Sequence, residues 1–489
     1  MSLEPPPVPA DPTGTASTPS EGPEVDLTDG GLFAPHRRKL VVGLVLTVTL
    51  VAFEAMAIAA IMPDVKDDLG GLGLYGWVFS GFFLASLLGI VVAGQLADSR
   101  GLVLPYALGL GLFSIGLVVG GAAGSMPVLV LGRLLQGFGA GAIPAIGYAA
   151  VGRGIPAPLR PKMFAVMSTA WVVPGLVGPS AALLVEHALS WRYVFLLLVP
   201  LVVVAGVMTV PALAAMGAPE GADLEDEAHA ARRAAQNLRL RQVVLLVLGV
   251  GASFAAASGV PVALAVVLFV VGIPLAINAL VHLLPAGTLR LARGVPATVA
   301  GRGLLTFGFF AADAYVPLAV VDGRGGSSWV AGGALTISAL TWSAASWTQA
   351  NLIDRIGPRT LDQIGFSALI AGVALMLGVA TGLPVGLVVV AWAIAGFGIG
   401  IAYAPQAVTV LASAKPGEEG SASAAIQLSD AVGIALGTGV AGGIVSLGDS
   451  RGWAVDHSVT WVFALALVGS VGGLLASGRM PRRVPAQAT

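Results

Sequence analysis

The chain has 489 residues, of which 56% are hydrophobic and only 10% charged, with a mean hydropathy of +0.90. Soluble domains carry about 25% charged residues, so this balance excludes a single soluble core and implies a multi-spanning membrane protein. A net charge of −1 gives no attraction to nucleic acid, and a sequence without Cys has no thiol chemistry, disulfide or Cys-ligated metal.

Residues 1–38 are rich in Pro, Ser, Thr and acids and read as a disordered cytoplasmic tail. No basic region followed by a short apolar run opens them, so they do not read as a signal peptide. His36-Arg37-Arg38-Lys39 then stands directly before the first span, where the positive-inside rule expects cytoplasm. A window of about 19 residues marks fourteen spans. Six lie near 40–62, 75–97, 103–122, 127–151, 163–187 and 193–214, forming a six-helix bundle over 39–214. A linker, 215–241, runs from acidic (Glu220, Asp223, Glu225, Asp226, Glu227) to basic (Arg232, Arg233, Arg239, Arg241) and fits a cytoplasmic Ala-rich helix. Two spans almost free of charge, near 242–259 and 261–284, form an insert over 242–290. The last six, near 297–320, 328–349, 361–381, 385–411, 420–446 and 458–478, form a second bundle over 291–479, followed by a cytoplasmic tail, 480–489. The expected fold class is thus all-α and polytopic.

With the N-terminus inside, cytoplasmic segments hold 20 of the 25 Lys and Arg, and outer segments hold four: Lys66, Arg192, Arg324 and Arg451. Arg133 lies within a span. This bias orients the chain with both ends inside.

The two bundles repeat one another. GQLADSRG (94–101) matches ANLIDRIG (350–357) at an offset of 256, through Leu96/Leu352, Asp98/Asp354 and Gly101/Gly357. QGFGAG (136–141) matches AGFGIG (395–400) at an offset of 259, and the same offset carries Glu54 onto Asp313. Duplicated halves with a site between them recur in transporters.

An acid in the middle of a span costs roughly 2.5–3.5 kcal/mol and needs a partner, water or a proton. Glu54 is such an acid in the first span, and Asp313 is one in the ninth. A carboxyl balanced between burial and a nearby cation can take a proton on one side and release it on the other. Arg133, two turns into the fourth span, cannot deprotonate and must find an anion or carbonyls; Glu54 is its expected partner, at a distance or through water. Residue 392, its counterpart, is Trp, so the halves are not equivalent. Asp430 reads as a structural acid.

Five motifs in order carry a resemblance. GQLADSRG resembles the loop after the second span of the major facilitator superfamily, although Leu102 and Val103 replace a basic pair. RLLQGFGAG (133–141) resembles its fourth-span motif. PGLVGPSAA (174–182), with Gly175, Gly178 and Pro179, resembles the fifth-span antiporter motif, although Ala182 replaces a glycine. WRYVFLLLVP (191–200) resembles the entry to the sixth span, and FEAMAIAAIMP (53–63) the first-span motif, with Glu54 for its Asp. Over residues 40–480 the chain resembles the fourteen-span drug:proton antiporters. The resemblance implies two pseudo-symmetric six-helix bundles plus two inserted helices, in a functional monomer of the cell membrane. It implies proton coupling through Glu54, Arg133 and Asp313, and a conformational latch at Asp98 and Asp354 with Arg100 and Arg355 as local cations. The cavity lining expected is Phe53, Phe309, Tyr315, Trp342, Tyr403 and Gln406, for a small lipophilic or cationic substrate. The energy source would be the proton gradient, with no cofactor.

Other functions compete. Within transport, these are export of a native lipid, glycolipid or siderophore, and proton-coupled import of a nutrient. A membrane transferase would need opposed clusters of acids or metal ligands, and the one tight cluster, Asp64, Asp67 and Asp68 with Lys66, has no second cluster facing it. No GxxxxGK[ST] loop is present to cradle ATP.

Overall fold

The computed structural model describes residues 31–156, 159–170, 172–217, 227–258, 260–414 and 419–483. Most of the expected N-terminal tail, the acidic half of the linker through Asp226 and the end of the C-terminal tail lie outside them. The described residues are helical, without strands. The first half contains α1 (Pro35–Leu69), α2 (Tyr75–Arg100), α3 (Val103–Gly121), α4 (Met126–Gly154), α5 (Arg160–Thr169), α6 (Val172–Ala188), α7 (Trp191–Leu196) and α8 (Leu198–Ala214). Then come α9 (Glu227–Ala256) and α10 (Val262–Leu283). The second half contains α11 (Val295–Asp313), α12 (Val316–Leu318), α13 (Ser328–Ile356), α14 (Pro358–Thr381), α15 (Leu387–Ala412), α16 (Glu419–Ser450) and α17 (Val455–Ser477).

Twelve helices among the described residues are long and apolar enough to cross a membrane. The expected count of fourteen turns on two segments. One is α13, long enough at 29 residues but studded with Ser, Thr and Trp. The other is the pair α5 and α6, which flank residue 171 and are each short of a full crossing.

Glycines set the packing within each half. A Cβ on Gly137 or Gly141 of α4 would lie 2.1 Å from the backbone oxygens of Phe82 and Ser86 in α2. A Cβ on Gly396 or Gly400 of α15 would lie 2.2 and 2.4 Å from those of Ser338 and Trp342 in α13. Both glycines and both partners repeat at the offsets read from the sequence, so the repeat is one of packing, with backbones brought close as small residues permit in lipid. Gly101 and Gly357 close α2 and α13 at φ of 76° and 81°, a region open to Gly and strained for other residues.

Two helix pairs join the halves: α2 with α16, and α6 with α13. Their contacts also repeat. Gly76 faces Gly442 so closely that a Cβ on either would lie 2.5 Å from the other's Cα; the repeat equivalents, Gly332 and Leu183, meet with Leu183 Cδ1 2.5 Å from a Cβ built on Gly332. On the face away from the described chain ends, Lys66 of α1 is bonded to Asp322 across the halves. Tyr315 O–H donates to the Thr438 carbonyl at 3.0 Å, and its ring lies 5.3 Å from that of Tyr75. This face is closed.

The insert differs from expectation in one respect. The linker helix and the seventh span are a single α9, because residues 227–248 contain no Gly or Pro to interrupt it. Near the chain-end face α9 is tied to α2: Gln95 Nε2 donates to the Gln236 carbonyl, and Gln236 Nε2 to Asp98, both at 2.7 Å. At its other end Phe254 presses on Gly439 of α16 and stacks edge-on against Trp77 of α2. α10 packs on α9 through Gly249 and Gly272 and otherwise exposes apolar residues.

Candidate functional site

Glu54 sits midway along α1, 2% exposed, and Arg133 lies two turns into α4, 1% exposed. They form a direct salt bridge. Arg133 also donates from Nε to the Val78 carbonyl at 2.9 Å and from Nη1 to Gln136 Oε1 at 2.6 Å, and its guanidinium lies 4.3 Å above the Phe82 ring. This network supplies the second and third partners that a buried ion pair needs. Glu54 Oε2 is nevertheless buried and has no hydrogen-bond partner among the described residues.

The second half repeats the pair with different chemistry. Asp313 accepts from Trp392 Nε1 at 2.8 Å. Glu54 and Arg133 are 79 residues apart, and so are Asp313 and Trp392. Asp313 is the last residue of α11, because Pro317 has no N–H for the Asp313 carbonyl and the helix breaks at Ala314–Tyr315. One carboxyl thus meets a guanidinium inside a continuous helix. The other meets a neutral indole at the electronegative end of a broken one.

Aromatic rings join the two pairs. Phe82 and Phe83 of α2 lead to Phe310 across the halves at 6.4 Å, and Phe310 and Phe309 both meet Trp342. Phe309 stacks on Trp392 at 5.7 Å, and Trp342 meets Tyr403 at 5.5 Å. Of the expected lining, Phe309, Trp342 and Tyr403 belong to this chain of rings. Phe53 is partly buried near Gly178 of α6, which packs against Met56 and Phe53 one turn around from Glu54. Gly175 approaches Ala339 of α13, so the motif around Pro179 lies between α1 and the second half. Two expected lining residues are placed otherwise. Tyr315 is wholly buried in the closed face, and Gln406 is wholly buried with its amide donating to Asp362.

The expected latch residues lie on the chain-end face and are exposed. Asp98 is bonded to Gln236 rather than Arg100, and Asp354 and Arg355 form no ion pair among the described residues. The ion pair joining the halves is on the opposite face, Lys66–Asp322.

Sequence reasoning missed one cation. The 20 inner cations include Arg302, which the structure buries in α11 at 5% exposure, leaving 19 against four. Arg302 Nε donates to Asp430 Oδ1 at 2.7 Å, Nη1 to the Tyr403 carbonyl at 2.6 Å, and its guanidinium lies 3.0 Å from the Tyr403 ring centre. Tyr403 O–H in turn donates to Asp430 Oδ2 at 3.0 Å. The signal available was position: residue 302 is five residues into the expected ninth span.

Helices of spanning length in two repeated bundles, each with a charged pair buried inside it, define a polytopic membrane protein of transporter architecture. Comparison with known proteins identifies its kind. The family model for the Major Facilitator Superfamily matches residues 44–438, and the chain belongs to that family. It is 28% identical over 459 residues to the "Probable multidrug-efflux transporter Rv1634" of Mycobacterium tuberculosis, covering 90% of this chain and 94% of the relative. It is also 28% identical over 169 residues to the "Multidrug transporter protein MdtP" of Bacillus subtilis, covering 35% of this chain and 31% of the relative. Among solved structures, a mutant of the nucleoside transporter NupG superposes with a TM-score of 0.60 at 13% identity over 90% of this chain and 99% of the other. The D-xylose-proton symporter does so with a TM-score of 0.58 at 16% identity over 91% and 98%. These two share the fold. The protein is a transporter of the superfamily and not an enzyme.

Proposed function

We propose that the protein is a proton-coupled exporter of lipophilic, cationic small molecules. It works by alternating access between two faces, with Glu54 as the proton carrier and both chain ends in the cytoplasm. The observation that carries this reading is the buried Glu54–Arg133 pair at one end of an aromatic chain that crosses the halves. A proton arriving at the unpartnered Oε2 neutralises Glu54 and weakens its attraction to Arg133. Arg133 keeps the Val78 carbonyl and Gln136 as acceptors. The rings offer π-faces to an organic cation, and binding there costs little desolvation for a lipophilic one. The multidrug-efflux relative that spans nearly the whole chain supports the same direction. In this reading the face away from the chain ends, closed by Lys66–Asp322 and Tyr315, is the outer gate.

The test is transport of a fluorescent lipophilic cation in proteoliposomes with an imposed pH gradient. Glu54→Gln keeps the shape and the hydrogen bond to Arg133 but carries no titratable proton. The gradient should stimulate wild type and leave Glu54→Gln at the rate without a gradient. Equal stimulation of both proteins removes Glu54 from the coupling.

A further inference from the structure

A crevice of about 560 Å³ lies beside the second half on the chain-end face, outside the aromatic site. Its walls include Arg239 and Gln242 of α9, His282 of α10, Val295 of α11, Ser413 after α15, and Ala425 of α16. We infer that this crevice binds an anionic, phosphate-bearing lipid from the leaflet on the side of the chain ends.

Three observations carry the inference. The first is charge. Arg239 is exposed, has no carboxylate partner among the described residues, and lines a crevice whose described lining contains no Asp or Glu. His282 Nδ1 donates to the Asn278 carbonyl at 2.8 Å, which leaves Nε2 without a partner among the described residues. The second is an unmet polar group. Gln242 is 7% exposed, and its amide oxygen has no donor among the described residues. Such a group costs about 1–3 kcal/mol unless a ligand hydroxyl or water reaches it. The third is surroundings. α10, one wall of the crevice, exposes Ile273, Ile277 and Val281 along its length, as a lipid-facing helix does. Val410, Val295 and Ala422 line the interior, so acyl chains find an apolar wall below the polar rim.

The wall supplied by α9 is bonded to α2 of the first half through Gln95, Gln236 and Asp98, whereas Ser413 and Ala425 belong to the second half. A lipid seated there touches the insert and the second half, and is linked to the first half only through the α9–α2 hydrogen bonds. The site does not depend on proton coupling or on which substrate is exported.

The experiment is native mass spectrometry of the full-length protein in detergent, after incubation with dioleoyl phosphatidylglycerol or dioleoyl phosphatidylcholine. Wild type should retain the anionic lipid in preference to the zwitterionic one. Arg239→Glu should lower phosphatidylglycerol retention by at least roughly fivefold, since it removes one surface cation and adds an anion, and leave phosphatidylcholine unchanged. Arg241→Glu, equally exposed but outside the crevice, should retain phosphatidylglycerol as wild type does. Unchanged retention in Arg239→Glu, or equal loss in Arg241→Glu, overturns the site. A glycerol phosphate arm separates the two sources of the headgroup: binding of this soluble ester without chains overturns the lipid assignment, and failure to compete supports it. Both substitutions are at exposed positions, and matching melting curves establish that each variant is folded.

Discussion

The Glu54–Arg133 pair and the Asp313–Trp392 pair occupy equivalent places in two halves built on one plan, yet only the first carries a cation. In the first half, charge is balanced inside the protein, and moving the carboxylate means breaking an ion pair. In the second, the carboxyl is held by geometry and a single neutral donor. Duplication has preserved the position of the acid and its partner's reach while separating their chemistry. The second half places its cation elsewhere, as Arg302 against Asp430 and Tyr403.

The contrast can be broken from either side. Arg133→Ala should have the largest effect on stability, because it strands a buried carboxylate; removing one partner of a buried pair costs about 3–5 kcal/mol. Thermal melting in detergent reads this loss, and the double variant Glu54→Gln/Arg133→Gln should recover much of it. If Arg133→Ala melts like wild type, the two pairs are energetically alike and the contrast fails. Asp430→Asn should come next. It leaves Arg302 with the Tyr403 carbonyl but without its carboxylate, and the Asp430 side chain is 20% exposed, so roughly 2 kcal/mol is expected from the lost charge-assisted bond. Trp392→Phe keeps a ring against Phe309 and removes only the N–H to Asp313. A loss of about 1 kcal/mol, with substrate affinity little changed, would show that the indole serves Asp313 through that bond. Lys66→Gln should change stability least, by under about 1 kcal/mol. It should also shift the protein away from the closed outer face, as read by distances between spin labels placed on α1 and α12.

Much of the architecture was legible in the residues. Apolar runs located the helices, and the offset between Glu54 and Asp313 foretold that their partners would also correspond. The sequence could state that residue 392 is Trp; only the fold shows its indole reaching the acid. Arg302 escaped notice because, near the start of an expected span, a cation reads as a residue of the flanking loop. Burial there depends on Asp430, which arrives from 128 residues further along the chain. Asp362 was hidden in the same way: near the start of α14, it is wholly buried beside Gln406. The latch differs for another reason. The latch role of Asp98 and Asp354 rests on motif resemblance, which does not say which partners a given arrangement of the helices pairs; here Asp98 bonds Gln236 of α9. The expected linker helix and seventh span run on as one α9 because a change from polar to apolar composition does not interrupt backbone hydrogen bonding.

The two seams between the halves are unequal in a mechanical sense. At Gly76 and Gly442 backbone bears on backbone, with the hydroxyl of the buried Tyr315 against both; at Gly332 the bearing surface is the flexible end of Leu183. A joint with one hard and one soft bearing turns about the hard one. In the alternating-access cycle proposed above, this places the fulcrum at the α2/α16 seam and the wider excursion at the α6/α13 seam, which carries the Gly175–Pro179 segment.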